Sequence, residues 1–209
     1  EVRIELEALE EASEEEIEEK VKRVLGSETV TALGRLRVQT GLAKIPALLT
    51  LVAELREEGE RPLVFCEHHD VVDAARAALE KKGLTVFTGT GKSGGAAKRK
   101  ALTDAWQAGE GDVMLITRAF ISGVTLTSGA VGISLERYWV PGHEHQAEDR
   151  LHRFTQERDV RIFYLHAPGT PDDAMTELSL WKEEGISELQ GSTWRRVLEW
   201  LTDDDKVAA

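Results

Sequence analysis

The sequence predicts an α/β fold in which a parallel sheet is covered by helices on both faces, with helical extensions at each end. Short apolar runs alternate along the chain with longer stretches whose apolar residues recur at intervals of three and four. Alternation of this kind implies right-handed crossover connections between parallel strands. Because such sheets bind ligands at the carboxyl ends of their strands, the loops that follow the strands are the first place to look for function.

The elements follow one another in a simple order. A charged helix or helix pair over 5–25 ends near Gly26, and a stronger amphipathic helix follows over 43–58. The alternating part then comprises strands at 63–66, 84–87, 113–116, 131–135 and 161–165, with helices at 70–83, 96–108 and 143–154. Residues 171–202 return to helix, with an apolar stripe that includes Trp194. We therefore divide the chain into an acidic helical segment of unassigned role (1–37), the α/β domain (38–170) and a helical tail or brace (171–209).

The net charge of −12 is unevenly distributed. Residues 1–20 hold ten glutamates and only two basic residues, whereas residues 62–168 hold 13 basic and 13 acidic residues and all six histidines. A glutamate-rich helix is typical of a solvated surface, and a basic protein partner is the less common alternative. The acidic ends therefore do not by themselves exclude a nucleic-acid partner for the neutral middle of the chain.

Three general features limit the class of protein. No run of 18 apolar residues is present, so no transmembrane helix is expected. The single cysteine, Cys66, excludes an internal disulfide framework, favours a reducing compartment (cytoplasm, nucleoid or nucleus, not secretion) and is interpreted as core packing. The first residue, Glu1, suggests a piece of a longer protein.

A glycine-rich loop over 88–95 follows the second predicted strand and precedes a helix. It contains Gly91-Lys92-Ser93, but a phosphate-binding P-loop needs a further glycine where this chain has Val86 inside the strand. A turn that touches a phosphodiester backbone is favoured over a nucleotide-binding P-loop or a bare flexible loop.

Three donors share one face of the helix predicted before the last strand. Gln146, Arg150 and Arg153 are spaced four and three residues apart, and two of them are permanently charged forks suited to polyphosphate oxygens. The alternative is an ordinary surface helix whose arginines pair with nearby carboxylates such as Glu148, Asp149 and Glu157.

The histidine pairs do not predict a metal site. His68-His69 and the run His143-Glu144-His145 lack the spacing of two ligands on one helix face, and no cysteine pair completes either cluster. Loop histidines near a phosphate are the favoured interpretation.

Taken in order, three segments resemble one family. RPLVFCEHH (61–69) resembles helicase motif four, ITRAFISGVTL (116–126) motif five, and YWVPGHEHQAEDRLHRFTQ (138–156) motif six of Swi/Snf-type enzymes in helicase superfamily two. Within that group the chain is most similar to HARP-like annealing helicases, over about residues 38–176. It departs from the family at Phe120-Ile121, where a Gly-Gly pair is usual.

The resemblance implies the second RecA-like lobe of an ATP-dependent double-stranded-DNA translocase. ATP and Mg²⁺ would be bound mainly by a first lobe, which carries the P-loop and the acidic box that these 209 residues lack. Carried over by position, Arg153 matches the arginine finger, Arg150 the second arginine of motif six and Gln146 its opening glutamine, while Gly123 matches the glycine that lets the backbone approach the nucleotide. The residues implied to contact DNA are His68, His69, Gly89, Thr90, Thr117 and Arg118.

Two kinds of function remain open at this point. One is the C-terminal lobe of a DNA-dependent ATPase, partnered by the first lobe and by double-stranded or forked DNA, with no membrane partner. The other is a stand-alone, non-catalytic module that binds nucleic acid or protein. A small kinase built on Gly91-Lys92-Ser93 is a third, less favoured idea, because it needs the P-loop that the spacing argues against.

Overall fold

The computed structural model describes residues 27–121, 124–138, 146–154, 156–173 and 175–176. The strands are β1 (Leu63–Cys66), β2 (Val86–Gly89), β3 (Val113–Thr117), β4 (Val131–Ser134) and β5 (Arg161–Tyr164). They form one sheet of five strands in the order β2-β3-β1-β4-β5, and every pairing is parallel. The helices are α1 (Ser27–Ala43), α2 (Ile45–Glu57), α3 (His69–Lys81), α4 (Ala96–Gln107) and α5 (Arg118–Ile121). The predicted α/β class and the parallel sheet are confirmed.

Strand β2 lies two residues later than predicted, at 86–89 instead of 84–87. Leu84 instead helps to close the turn after α3, since its amide donates to the Leu79 carbonyl. The Thr85 amide donates to the Asp112 carboxylate, 2.8 Å away, instead of joining the ladder. Pairing with β3 therefore begins at Val86, opposite Val113.

Two apolar layers sandwich the sheet. Alternate side chains of β1 point to opposite faces: Val64 and Cys66 pack with the buried sides of α2 and α3, whereas Leu63 and Phe65 pack with Trp106 and the α5 residues. Cys66 is fully buried, and burial raises the pKa of its thiol well above the ordinary value. The prediction that this cysteine is a core residue agrees with that position.

Helix α1 was not predicted as a separate element: residues 27–37 belong to the segment 1–37 that was expected to be helical without assigned bounds, and the helix runs past residue 37 to Ala43. The face that α1 buries combines Leu33 with Gly41 and the polar residues Arg37 and Thr40, so its sequence shows no clear apolar stripe. The helix predicted over 43–58 begins instead at Ile45, after a one-residue break at Lys44. The acidic run over 1–26 lies outside the described residues.

No single described helix is long and apolar enough to cross a membrane. The stretch 31–43 of α1 and helix α2 meet that requirement only as a pair bent by 41°. The apolar face of α2 (Leu48, Val52 and Leu55) is already buried in the core of this domain.

The start of the C-terminal extension is fixed to the domain by a buried ion pair. Helical residues 171–173 and 175–176 follow β5, and Asp172 accepts a hydrogen bond of 2.7 Å from Lys44 Nζ. The two side chains are 9% and 5% exposed. The Lys44 ammonium also donates to the Leu165 carbonyl, and Asp172 accepts from the Ala167 amide. The Trp194 stripe lies outside the described residues.

We expect Asp172→Ala to lower the free energy of unfolding by about 3 kcal/mol, because it leaves the Lys44 ammonium buried without its counter-charge. Urea denaturation of the 209-residue chain measures this. The matched control is Glu80→Ala, which breaks the exposed Arg76–Glu80 pair and should cost less than about 1 kcal/mol. Equal losses in the two variants would show that burial of the Lys44–Asp172 pair has no special effect.

Candidate functional site

The carboxyl ends of the three strands β1, β2 and β3 meet at one edge of the sheet. Cys66 at the end of β1 is paired with Thr117 at the end of β3, and Gly89 at the end of β2 is paired with Ile116. The six residues predicted to contact DNA lie on or directly after these strand ends. They are His68, His69, Gly89, Thr90, Thr117 and Arg118.

The accessibility of these six residues differs. Arg118 is exposed and the two histidines are half-buried, whereas Thr90 and Thr117 are only 7% and 5% exposed. Gly89 is buried under Phe120, whose ring lies 2.6 Å from where a Cβ on that glycine would sit. The absence of a side chain at Gly89 therefore admits Phe120, one of the two residues that replace the family's usual Gly-Gly pair.

The glycine-rich loop folds onto its own hydroxyl groups. The Thr90 amide donates to Ser93 Oγ at 2.7 Å, Ser93 Oγ donates to the Thr88 carbonyl, and the Lys92 amide donates to Thr90 Oγ1. Helix α4 begins at Ala96, four residues after Lys92. A P-loop lysine enters the following helix directly, so this loop does not have P-loop geometry.

Two arginines of motif six lie beside the motif-five segment. Arg153 Nη1 donates to Thr125 Oγ1 at 2.7 Å, and the Arg150 carbonyl accepts from the Leu126 amide. Burial lowers the pKa of Arg150, the positive charge of Arg153 lowers it further, and Asp149 partly opposes both effects. The two guanidinium groups are therefore close enough to repel each other.

Neither guanidinium forms an ion pair with a carboxylate among the described residues, and Arg150 Nε is buried there without a hydrogen-bond partner. Glu148, one of the expected partners, instead accepts a hydrogen bond from the Tyr164 hydroxyl. Two neighbouring cations and an unsatisfied buried donor suit the oxygens of a polyphosphate.

The helix predicted over 143–154 is a partial error. Within the described residues only 146–148 are helical, and 149–151 form hydrogen-bonded turns in which the Arg150 amide donates to the Ala147 carbonyl. Gln146 is exposed, and Gly123 lies outside the described residues. Arg150 and Arg153 are therefore brought together by this turn and its contacts with 125–126 and not by a regular helix face.

Gln156 links the end of the motif-six segment to residues 127–129, which follow motif five, and sequence reasoning gave it no role. Its Nε2 lies within hydrogen-bond distance of the carbonyl oxygens of Thr127 (3.1 Å), Gly129 (2.9 Å) and Leu151 (3.3 Å). Its Oε1 accepts from the Arg158 amide. The only sequence signal for this role is that Gln156 ends the segment resembling motif six.

Glu136 was also missed by sequence reasoning. Its carboxylate is 4% exposed and accepts hydrogen bonds from the amides of Glu67 and His68 and from His68 Nδ1. Burial raises the pKa of Glu136, but the hydrogen bonds and charge of His68 and the two backbone amides outweigh burial and leave that pKa below its ordinary value. The available signal was an acid two residues after the apolar strand β4.

No group of three or more metal-ligating side chains occurs in the part of the chain that the structure describes. His68 pairs with Glu136, and His166 pairs with Asp173. The run 143–145 lies outside the described residues.

Residues 43–155, more than half of the chain, match the family model described as "Helicase conserved C-terminal domain". The chain belongs to this helicase family. It is 34% identical over 176 residues to the bovine (Bos taurus) SWI/SNF-related matrix-associated actin-dependent regulator of chromatin subfamily A-like protein 1, covering 80% of this chain and 18% of that protein. It is 33% identical over 187 residues to the mouse (Mus musculus) DNA annealing helicase and endonuclease ZRANB3, covering 86% of this chain and 17% of that protein.

The fold of this helicase C-terminal domain is RecA-like. It matches the crystal structure of the C-terminal part of the Fun30 ATPase domain with a TM-score of 0.61 and 22% identity, over 65% of this chain and 44% of that one. The sequence relatives identify the domain as a Swi/Snf-type superfamily-two C-terminal lobe. The chain spans about a fifth of the length of these curated relatives.

We expect Gln156→Ala to destabilise the domain by about 1–3 kcal/mol, because the carbonyls of Thr127, Gly129 and Leu151 lose their side-chain donor. Urea denaturation of the 209-residue chain is the measurement. Gln39→Ala, at an exposed position of α1, is the control and should change the free energy of unfolding by less than about 0.5 kcal/mol. A Gln156 variant as stable as the Gln39 variant would contradict the linking role.

Proposed function

We propose that this domain is the second motor lobe of an ATP-dependent double-stranded-DNA translocase or annealing helicase. It supplies the arginine finger and part of the DNA track, and it is inactive without the lobe that carries the P-loop. The observation that carries the proposal is the pair Arg150 and Arg153, three residues apart in one turn and neither in an ion pair with a carboxylate among the described residues, with Arg153 held by Thr125. The names of the relatives, which include a DNA annealing helicase and a chromatin-remodeling ATPase, support the same function.

The arginine pair is suited to stabilise charge that develops during phosphoryl transfer. Thr125 holds one Nη of Arg153 and thereby restricts the direction of its guanidinium. Arg150 is partly desolvated, so its charge acts more strongly on a neighbouring anion than it would in water. Bound ATP with Mg²⁺ would supply the phosphoryl group that is transferred, mainly from the first lobe. Closure of the lobes would bring Arg150 and Arg153 to its γ-phosphate, with the exposed Gln146 at the beginning of the same turn.

The arginine-finger role predicts that Arg153→Ala, in the complete two-lobe protein, lowers DNA-stimulated ATP hydrolysis by about a thousandfold or more. Arg153→Lys should recover only part of the rate, because lysine keeps the charge but lacks the planar fork. Steady-state phosphate release with saturating duplex DNA measures both variants.

Arg76→Ala is the matched control, since Arg76 is exposed on α3 and pairs with Glu80. It should leave the rate unchanged. Hydrolysis by Arg153→Ala at the parental rate would refute the finger assignment. The 209-residue chain alone should turn over no ATP, and turnover by it would refute the need for a first lobe.

The proposed DNA track is supported by local positive charge, which the net charge of −12 for the whole chain does not reveal. Residues 84–103 hold four basic residues and no acid, and residues 113–127 hold one basic residue and no acid. These stretches contain β2 and β3, which pair, and Lys92 and Arg118 lie in the segments that follow the carboxyl ends of those two strands. This edge is the part of an acidic chain that can attract a phosphate backbone.

Two lysines extend this edge beyond the six residues assigned from the resemblance. Lys98 folds over the glycine-rich loop, with its Cδ 2.8 Å from the position of a Cβ on Gly94. Gly91, beside Lys92, lies against Ala119, the neighbour of Arg118. Lys92 and Lys98 are exposed and have no carboxylate partner among the described residues, whereas Lys100 pairs with Asp104 at 2.6 Å.

We therefore expect Lys92→Ala and Lys98→Ala to weaken duplex binding by the complete protein and to reduce the salt dependence of affinity by about one unit of slope each. Fluorescence anisotropy over a series of salt concentrations measures the slope. Lys100→Ala, on the same helix, is the control and should change the slope less. Slopes that are the same in all three variants would remove the two lysines from the track.

A further inference from the structure

Glu136 is a buried carboxylate that belongs neither to the proposed ATP site nor to the apolar core, so its burial calls for another explanation. It follows β4 and reaches across to the loop that follows β1, where its Oε2 accepts from the Glu67 amide at 2.9 Å and from the His68 amide at 3.0 Å. Its Oε1 lies 2.7 Å from His68 Nδ1. One side chain therefore fixes both the backbone and the ring of His68.

These contacts assign the hydrogen on the His68 ring. A carboxylate can only accept, so Nδ1 of His68 carries the hydrogen and donates it to Glu136. The other ring nitrogen, Nε2, has no partner among the described residues, and the His68 side chain is 26% exposed. His69, the first residue of α3, has no comparable contact with a carboxylate in that part of the chain.

Helix α1 packs against the Glu136 side chain at Gly41. A Cβ built on Gly41 would lie 3.1 Å from the Cδ and Oε1 atoms of Glu136 and 2.8 Å from a methyl group of Val71. Arg37 of the same helix donates to the Arg137 carbonyl at 2.7 Å. The carboxylate is therefore shielded from water, which strengthens its hold on His68.

We propose that Glu136 is a positioning residue for DNA contact: it holds the loop after β1 and accepts the Nδ1 hydrogen of His68, so that the ring in its imidazolium form directs its second hydrogen, on Nε2, to a phosphate of the DNA backbone. The proposal rests on the proposed function, because it needs DNA to lie along this edge of the sheet. A hydrogen bond at Glu136 alone would serve only stability. His68 is 26% exposed and follows β1, whose last residue Cys66 pairs with Thr117 at the end of β3, and this position gives the same contacts a role in binding.

The test is a double-mutant cycle on duplex affinity, measured by fluorescence anisotropy with the complete two-lobe protein and a duplex oligonucleotide. His68→Ala should weaken binding about tenfold, the loss expected for one hydrogen bond to a charged group. Glu136→Gln keeps the size of the side chain but presents an NH₂ to the loop donors, and it should weaken binding to a similar degree. The double variant should bind no more weakly than either single variant, because both changes remove the same contact.

Additive losses in the double variant would show that Glu136 acts by general stability and would overturn the proposal. Unchanged affinity in His68→Ala, with normal binding by the parent protein, would overturn it while leaving the proposed function intact. If the parent protein did not bind duplex DNA at all, the proposed function and this inference would both be refuted.

A second pair of variants keeps the test decisive if Glu136→Gln fails to fold. Gly41→Ala brings a methyl group against Glu136 without removing any hydrogen-bonding group, and it should reduce duplex affinity. Gly34→Ala is the control on the same helix, since nothing lies within 4 Å of a Cβ at that position. Equal affinity in these two variants would contradict the proposal.

The ring tautomer gives an independent readout that does not use DNA. Nitrogen-resolved NMR of the 209-residue chain should show a hydrogen on His68 Nδ1, and Glu136→Gln should lower the occupancy of that hydrogen, because the ring loses its carboxylate acceptor. A spectrum that is the same in parent and variant would refute the assigned contact.

Discussion

The central strand β1 pairs with β3 on one side and with β4 on the other, and the candidate DNA edge depends on that arrangement. Because the strands are parallel, their carboxyl ends lie together and their following loops meet at one edge. His68 follows β1, Arg118 follows β3 and Glu136 follows β4. A different strand order would leave the same residues in the sequence and separate them in space.

The domain contains two opposite arrangements of partly or fully buried charge. The Glu136 carboxylate is satisfied from within the domain by three donors, so it is stable in its ionised form without any ligand. Arg150 and Arg153 have no such internal acid in the described residues, and their mutual repulsion is a cost that an external anion would relieve. The first arrangement needs no ligand, and the second is the one expected of the proposed ATP site, where the anion would come from outside the domain.

The strands could be predicted because buried parallel strands form continuous apolar runs, as residues 63–66 and 113–117 do. Helix α1 could not be predicted in the same way, because the face it buries includes the polar residues Arg37 and Thr40. The hydrogen bond from Arg37 to the Arg137 carbonyl forms only in the folded domain. The spacing of Gln146, Arg150 and Arg153 assigned these residues to one face of a regular helix, whereas the described part of this segment is helical only over 146–148. Periodicity reports the average environment of a segment and does not distinguish a helix from a series of turns stabilised by tertiary contacts.

The amino-acid sequence by itself determined the α/β class, the parallel sheet and the family, since apolar runs and ordered motifs are local properties of the chain. Only the tertiary structure decided which side chains act together. Thr125 is 28 residues from Arg153, and Glu136 is 68 residues from His68. No local pattern encodes such pairs, because they form only when parallel strands place the ends of distant segments side by side.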